Sequence, residues 1–124
     1  MSNPGSFLDL KAWQRSMDLM VDCYSLTRRL PREERFGMSS QLQRASLSVP
    51  SNISEGNGRR TRGEYINQLS VAQGSLNEVQ TLLIAVSRVG YLSESELGSE
   101  WNCFTEVGRL LSGLRWSLER GRGR

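Results

Sequence analysis

Residues 41–58 read Gln41-Leu-Gln-Arg-Ala-Ser-Leu-Ser-Val-Pro-Ser-Asn-Ile-Ser-Glu-Gly-Asn-Gly58. Laid on a helix, the stretch puts Gln41, Arg44, Ser48, Asn52 and Glu55 at steps of 3, 4, 4 and 3 residues, one continuous polar stripe. Met38, Leu42, Ala45, Val49 and Ile53 form an apolar stripe beside it. A solvent-facing stripe normally carries more charge and less regular spacing. A core stripe carries fewer hydrogen-bonding groups. Amides, hydroxyls and one charge of each sign in register need another surface to satisfy them.

Working outward, the same periodicity recurs. Before the stripe, Leu10, Trp13, Met17, Met20, Tyr24 and Thr27 alternate steps of 3 and 4, predicting a first helix with its inward face on those residues. It ends near Leu30-Pro31, because the residue before a proline disfavours the helical region. The second helix runs from about Met38 to Glu55. Pro50 lies inside it, removing one backbone donor and crowding the Ser46 carbonyl, so a kink or restart is expected there. Gly56 and Gly58 supply its stop. Thr61 with Glu64 has capping-box spacing and opens a third helix, whose Tyr65, Leu69, Ala72, Leu76, Val79, Leu83 and Val86 face inward. The small pair Gly74-Ser75 predicts a close helix approach. Ser93 with Glu96 opens a fourth helix, facing inward through Leu97, Trp101, Phe104, Leu111, Leu114 and Leu118.

No segment alternates as a strand does. Four helices on short turns predict an all-α, antiparallel up-and-down four-helix bundle, a single domain over residues 1–124. Residues 1–8 read as a loose lead-in and 120–124 as a disordered basic tail.

Composition limits the chemistry. The 124 residues suffice for one core and are 37% hydrophobic and 23% charged. There is no histidine, which removes the commonest general base and metal ligand. Cys23 and Cys103 each sit beside an aromatic residue in a helical pattern and read as buried, reduced thiols. No apolar run reaches membrane-helix length and the first thirty residues do not resemble a signal peptide, so a cytoplasmic location is expected, with no membrane partner. The Asn52-Ile53-Ser54 sequon is then incidental. Net charge is +3, and Lys11 is the only lysine among 16 basic residues. Arginine's fork suits phosphate. A GC-rich coding sequence produces the same bias.

The segment Gln41…Arg44-Ala45…Ser48-Val49-Pro50-Ser51-Asn52-Ile53-Ser54-Glu55-Gly56 resembles a family signature. So do Leu30-Pro31…Gly37, Ala72-Gln73-Gly74-Ser75-Leu76-Asn77-Glu78 and Gly90-Tyr91. The chain is similar to the four-helix bundle proteins encoded in 23S rRNA intervening sequences; Ser54 departs from the alanine more common there. The resemblance implies a ring-like homo-oligomer, typically a pentamer. A more distant similarity is to the accessory variability determinant proteins of diversity-generating retroelements, which implies nucleic acid and a nucleic-acid enzyme as partners.

Two sets of site residues follow. Gln41, Arg44, Ser48, Asn52, Glu55 and Glu78 form an expected structural or assembly network, with Glu78 on the third helix as the partner for Arg44. Arg59, Arg60 and Arg62 make a compact basic turn, and Arg115, Arg120 and Arg122 form a second basic set near the C-terminus; these are the expected phosphate contacts for RNA or DNA. Trp13 and Trp101 fall on core positions, whereas Trp116 lies off the stripe and faces a partner. Nothing supplies a nucleophile–base pair, a metal cluster or a phosphate loop, so no enzyme activity and no cofactor are expected. The rival readings are an oligomeric adaptor for other proteins and a structural product of the RNA insertion.

Overall fold

Thr61 opens the longest helix with both halves of a capping box: its hydroxyl accepts from the Glu64 amide at 3.1 Å, and the Glu64 carboxylate accepts from the Thr61 amide at 3.3 Å. The computed structural model describes residues 6–121. Within them lie α1 (Lys11–Thr27), α2 (Met38–Asn57), α3 (Arg62–Arg88) and α4 (Gly98–Arg120), and no strand occurs among the described residues. The all-α four-helix bundle is therefore observed.

Residue pairs across the contacts count up one helix as they count down the next. Ser48, Asn52 and Asn57 of α2 bond Ser75, Gln68 and Tyr65 of α3. Arg15 of α1 and Arg29, two residues beyond its end, reach Glu106 and Glu100 of α4. Arg115 of α4 lies 3.5 Å from Ser70 of α3. The start of α3, the end of α2 and the end of α4 thereby share one end of the bundle.

The inward faces of α2 and α3 follow their periodicity. Leu42, Ala45, Val49 and Ile53 are buried on α2; Leu69, Ala72, Leu76, Val79, Leu83 and Val86 are buried on α3. The α1 face differs. Ala12, Ser16, Leu19, Cys23 and Leu26 are buried, while Trp13, Met17, Met20 and Tyr24 are half-buried. On α4, Glu100, Cys103 and Val107 are buried while Trp101 and Phe104 flank them. The correction on α1, and at Trp101 and Phe104 on α4, is a shift of one residue, about 100° of helix rotation, while Leu97 and Leu111 are fully buried as expected. Cys23, Glu100 and Cys103 lie in the α1–α4 seam, and the larger aromatics beside them are only half-buried.

Pro50 is buried and α2 is continuous through it from Met38 to Asn57, so the helix does not restart there. Around the proline, Asn52 Nδ2 donates to the Ser48 carbonyl at 2.8 Å and Ser54 Oγ to the Ser51 carbonyl at 3.0 Å. The Ser93–Glu96 capping box forms, at 2.8 and 3.2 Å, but it leads into a 3-10 turn at Ser95–Leu97, and α4 proper starts at Gly98. Within the stretch read as a lead-in, Ser6 caps a 3-10 turn at Phe7–Asp9, and Phe7 meets Trp13 edge-on at 5.1 Å. Residues 1–5 and 122–124 lie outside the described residues.

At the opposite end, one carboxylate joins two loops. Glu34 accepts from Tyr91 Oη at 2.7 Å and from the Met38 amide at 3.1 Å. The Tyr91 bond, then the amide, hold the Glu34 carboxyl below the usual carboxylate range.

Candidate nucleic-acid interface and assembly surface

The polar stripe of α2 meets α3. Ser48 Oγ and Ser75 Oγ are 2.7 Å apart, and Asn52 Nδ2 donates to Ser48 Oγ at 3.0 Å. Gln68 Nε2 donates to Asn52 Oδ1 at 2.7 Å and to Glu55 Oε1 at 3.2 Å. Arg59 Nε in turn donates to Gln68 Oε1 at 3.2 Å. Ser48, Asn52 and Glu55 thus belong to one hydrogen-bonded ladder, with Gln68 as its node.

Gln41, Arg44 and Glu78 do not join that ladder. They line, with Ala45, Ser48 and Ser75, an open groove of about 340 Å³ between α2 and α3. The expected Arg44–Glu78 ion pair is absent among the described residues. Arg44 Nη2 instead donates to Ser40 Oγ, one turn back on its own helix, at 3.2 Å. An exposed pair adds little energy and costs side-chain entropy, so nothing compels closure across open solvent.

Gln68 was not foreseen as the partner. Its signal is Tyr65, Gln68, Ala72 and Ser75 at steps of 3, 4 and 3, a row facing α2. The apolar stripe of α3, which shares Tyr65 and Ala72 with this row, masks it.

The basic turn lies where α2 passes to α3. Arg59, Arg60 and Arg62 are exposed. Arg115 and Arg120 come to the same end from α4. Arg59 and Arg115 flank the first turns of α3, through Gln68 and Ser70. Arg62 to Ser70 spans about 12 Å of helix rise. Arg120 closes α4 and stacks its guanidinium 4.9 Å from the Trp116 ring centroid. Arg122 lies outside the described residues.

Charge is unevenly placed. At this end Lys11, Arg59, Arg60, Arg62, Arg115 and Arg120 outnumber Asp9, Glu55, Glu64 and Glu119. At the other end Arg28, Arg29, Arg32, Arg35 and Arg88 are matched one for one by Glu33, Glu34, Glu94, Glu96 and Glu100.

The cysteines are buried and free. Burial pushes the Cys23 thiol up to about 12, helped by Glu100, and the Cys103 thiol up to about 11. Thiols held that high are protonated at neutral pH and poor nucleophiles. Among the described residues no cluster of three or more His, Cys, Asp or Glu is placed to hold a metal ion, and no helix is long and apolar enough to cross a membrane.

Ser48, Asn52, Glu55 and Ser75 of the ladder belong to the sequence signature, and Gln68 and Arg59 complete it. The family model described as 23S rRNA-intervening sequence protein matches residues 8–113. The chain belongs to that family. Among solved structures, the family member resembles a protein of unknown function from the S23 ribosomal protein family of Bacteroides thetaiotaomicron. The two are 28% identical with a TM-score of 0.76, over 84% of this chain and 97% of the other. A comparison with curated proteins finds no match.

Proposed function

We propose that this chain is a non-enzymatic, self-assembling helical bundle that binds nucleic acid, RNA foremost, through its arginine-rich end. The observation that supports the reading is charge placement: the excess arginines gather around the first turns of α3, while the opposite end is balanced. Phosphate contact by such a patch is electrostatic and independent of base sequence.

Salt titration of binding to RNA and DNA oligonucleotides tests it. Each phosphate-contacting arginine lost reduces the slope of log K against log salt by about 1, so a triple Arg59/Arg60/Arg62→Ala variant is expected to lower it by about 3. No binding at low salt, or an unaltered slope, overturns the reading.

Self-assembly has its own support. Arg44 and Glu78 line an open groove without an ion pair between them, and Met17, Met20 and Tyr24 are only half-buried on α1. A second copy would satisfy the former and cover the latter, and a pentamer would present each basic patch five times, raising affinity by avidity. Arg44→Ala removes only one exposed contact within the chain and is expected to change monomer stability by about 0.5 kcal/mol or less, while reducing the mass measured by light scattering. An unaltered mass removes Arg44 from the assembly surface.

A further inference from the structure

We propose that Trp116 is a stacking platform for an unpaired base, so that the nucleic acid taken by this end of the bundle is single-stranded or looped rather than duplex. The inference rests on the nucleic-acid reading above and specifies its ligand.

Trp116 differs from the other two tryptophans. Trp13 and Trp101 pack against the core, and each meets a phenylalanine edge-on, at 5.1 and 5.4 Å. Trp116 is 60% exposed. More than half of the indole therefore remains open to a partner. The Arg120 guanidinium lies over the ring at 4.9 Å. Trp116, Ser117, Arg120 and Gly121 line a shallow, open hollow of about 360 Å³.

The surroundings select the ligand. Arg120 lies over the indole, and Arg115, Arg59, Arg60 and Arg62 stand on the same end of the bundle. An apolar ring among cations fits a partner that offers a flat apolar surface and negative charge together. A nucleotide with an unpaired base offers both. A second copy docked through the same end does not: such a face-to-face contact would set the arginines of one copy against those of the other. A duplex does not either, because its base faces are already stacked and the indole cannot reach them without extruding a base.

The test is fluorescence anisotropy with the full chain and labelled oligonucleotides of equal length: single-stranded RNA, single-stranded DNA, and the RNA and DNA duplexes. The wild-type chain is expected to prefer the single strands. Stacking measured by alanine substitution predicts that Trp116→Ala weakens single-strand binding about 10-fold or more and leaves duplex binding within about 2-fold. Trp116→Phe, which keeps a ring, is expected to retain most of the affinity. The salt slope stays unaltered in Trp116→Ala, in contrast to the arginine variants, because no phosphate contact is lost. The RNA and DNA arms decide which sugar is accepted. Equal loss on single strands and duplexes, or no loss on either, overturns the platform while the arginine patch stands. Failure of the wild-type chain to bind any oligonucleotide at low salt overturns both.

Discussion

Replacing Arg29 with alanine is expected to destabilise the bundle by about 2 kcal/mol, read as a lower midpoint in denaturant unfolding followed by helical circular dichroism. The cause lies on the facing helix. Glu100 is 4% exposed, in the α1–α4 seam beside the buried cysteines. Its Oε2 accepts from Arg29 Nη2 at 2.8 Å, and its Oε1 has no hydrogen-bond partner. Arg29 also donates to the Glu96 carbonyl at 3.2 Å, tying the end of α1 to the turn before α4. Without Arg29, a carboxylate remains in a low-dielectric seam with its countercharge gone. Breaking a fully buried pair in this way costs about 3–5 kcal/mol. The Arg29 side chain is 42% exposed, so water screens part of the interaction and the smaller figure applies. Glu100→Gln keeps the shape of the side chain and removes the charge. The Arg29→Ala/Glu100→Gln double variant is therefore expected to recover much of what the single variant loses. Wild-type stability in Arg29→Ala, or no recovery in the double variant, would mean that the seam does not depend on this pair.

That pair also shows where the sequence was legible and where it was not. The number of helices and the inward faces of α2 and α3 follow from periodicity, because large aliphatic residues sit on the buried positions themselves. On α1 and α4 the largest apolar residues lie one position away. Tyr24 and Phe104 draw the reading outward from Cys23 and Cys103, which with Ser16 and Glu100 fill the seam. A buried glutamate and a buried serine carry no apolar signal at all. They are recognisable only once the facing helix is in place. The polar stripe of α2 was legible as a surface needing a partner. Its actual partner, Gln68, is uncharged, and the charged Glu78 drew the pairing with Arg44 instead. The basic turn at Arg59, Arg60 and Arg62 was visible in sequence, but its union with Arg115 and Arg120 needs the helices folded against each other.

Two glycines should respond to the same substitution with opposite signs. Gly56 is buried on α2 where α3 crosses it, and a Cβ built there falls 2.9 Å from Gln68 Cβ and 2.9 Å from Tyr65 Cδ1. Neither atom is the free tip of a flexible chain. Gln68 is held by Asn52, Glu55 and Arg59, so the helices must move apart to admit a methyl group. Overpacking of this kind costs about 1–3 kcal/mol and outweighs the roughly 1 kcal/mol by which alanine favours helix over glycine. Gly56→Ala is therefore expected to melt several degrees lower. Gly74, the glycine whose sequence context suggested a close approach, is exposed on α3, and a Cβ there meets nothing within 4 Å. Gly74→Ala is expected to gain about 0.8–1 kcal/mol from helix propensity alone. Thermal unfolding of both variants at low protein concentration checks the signs. Unaltered stability in Gly56→Ala would mean that α2 and α3 separate freely at that crossing. A loss in Gly74→Ala that appears only as protein concentration rises would place a second chain against that face of α3, next to the groove that Arg44 and Glu78 leave open.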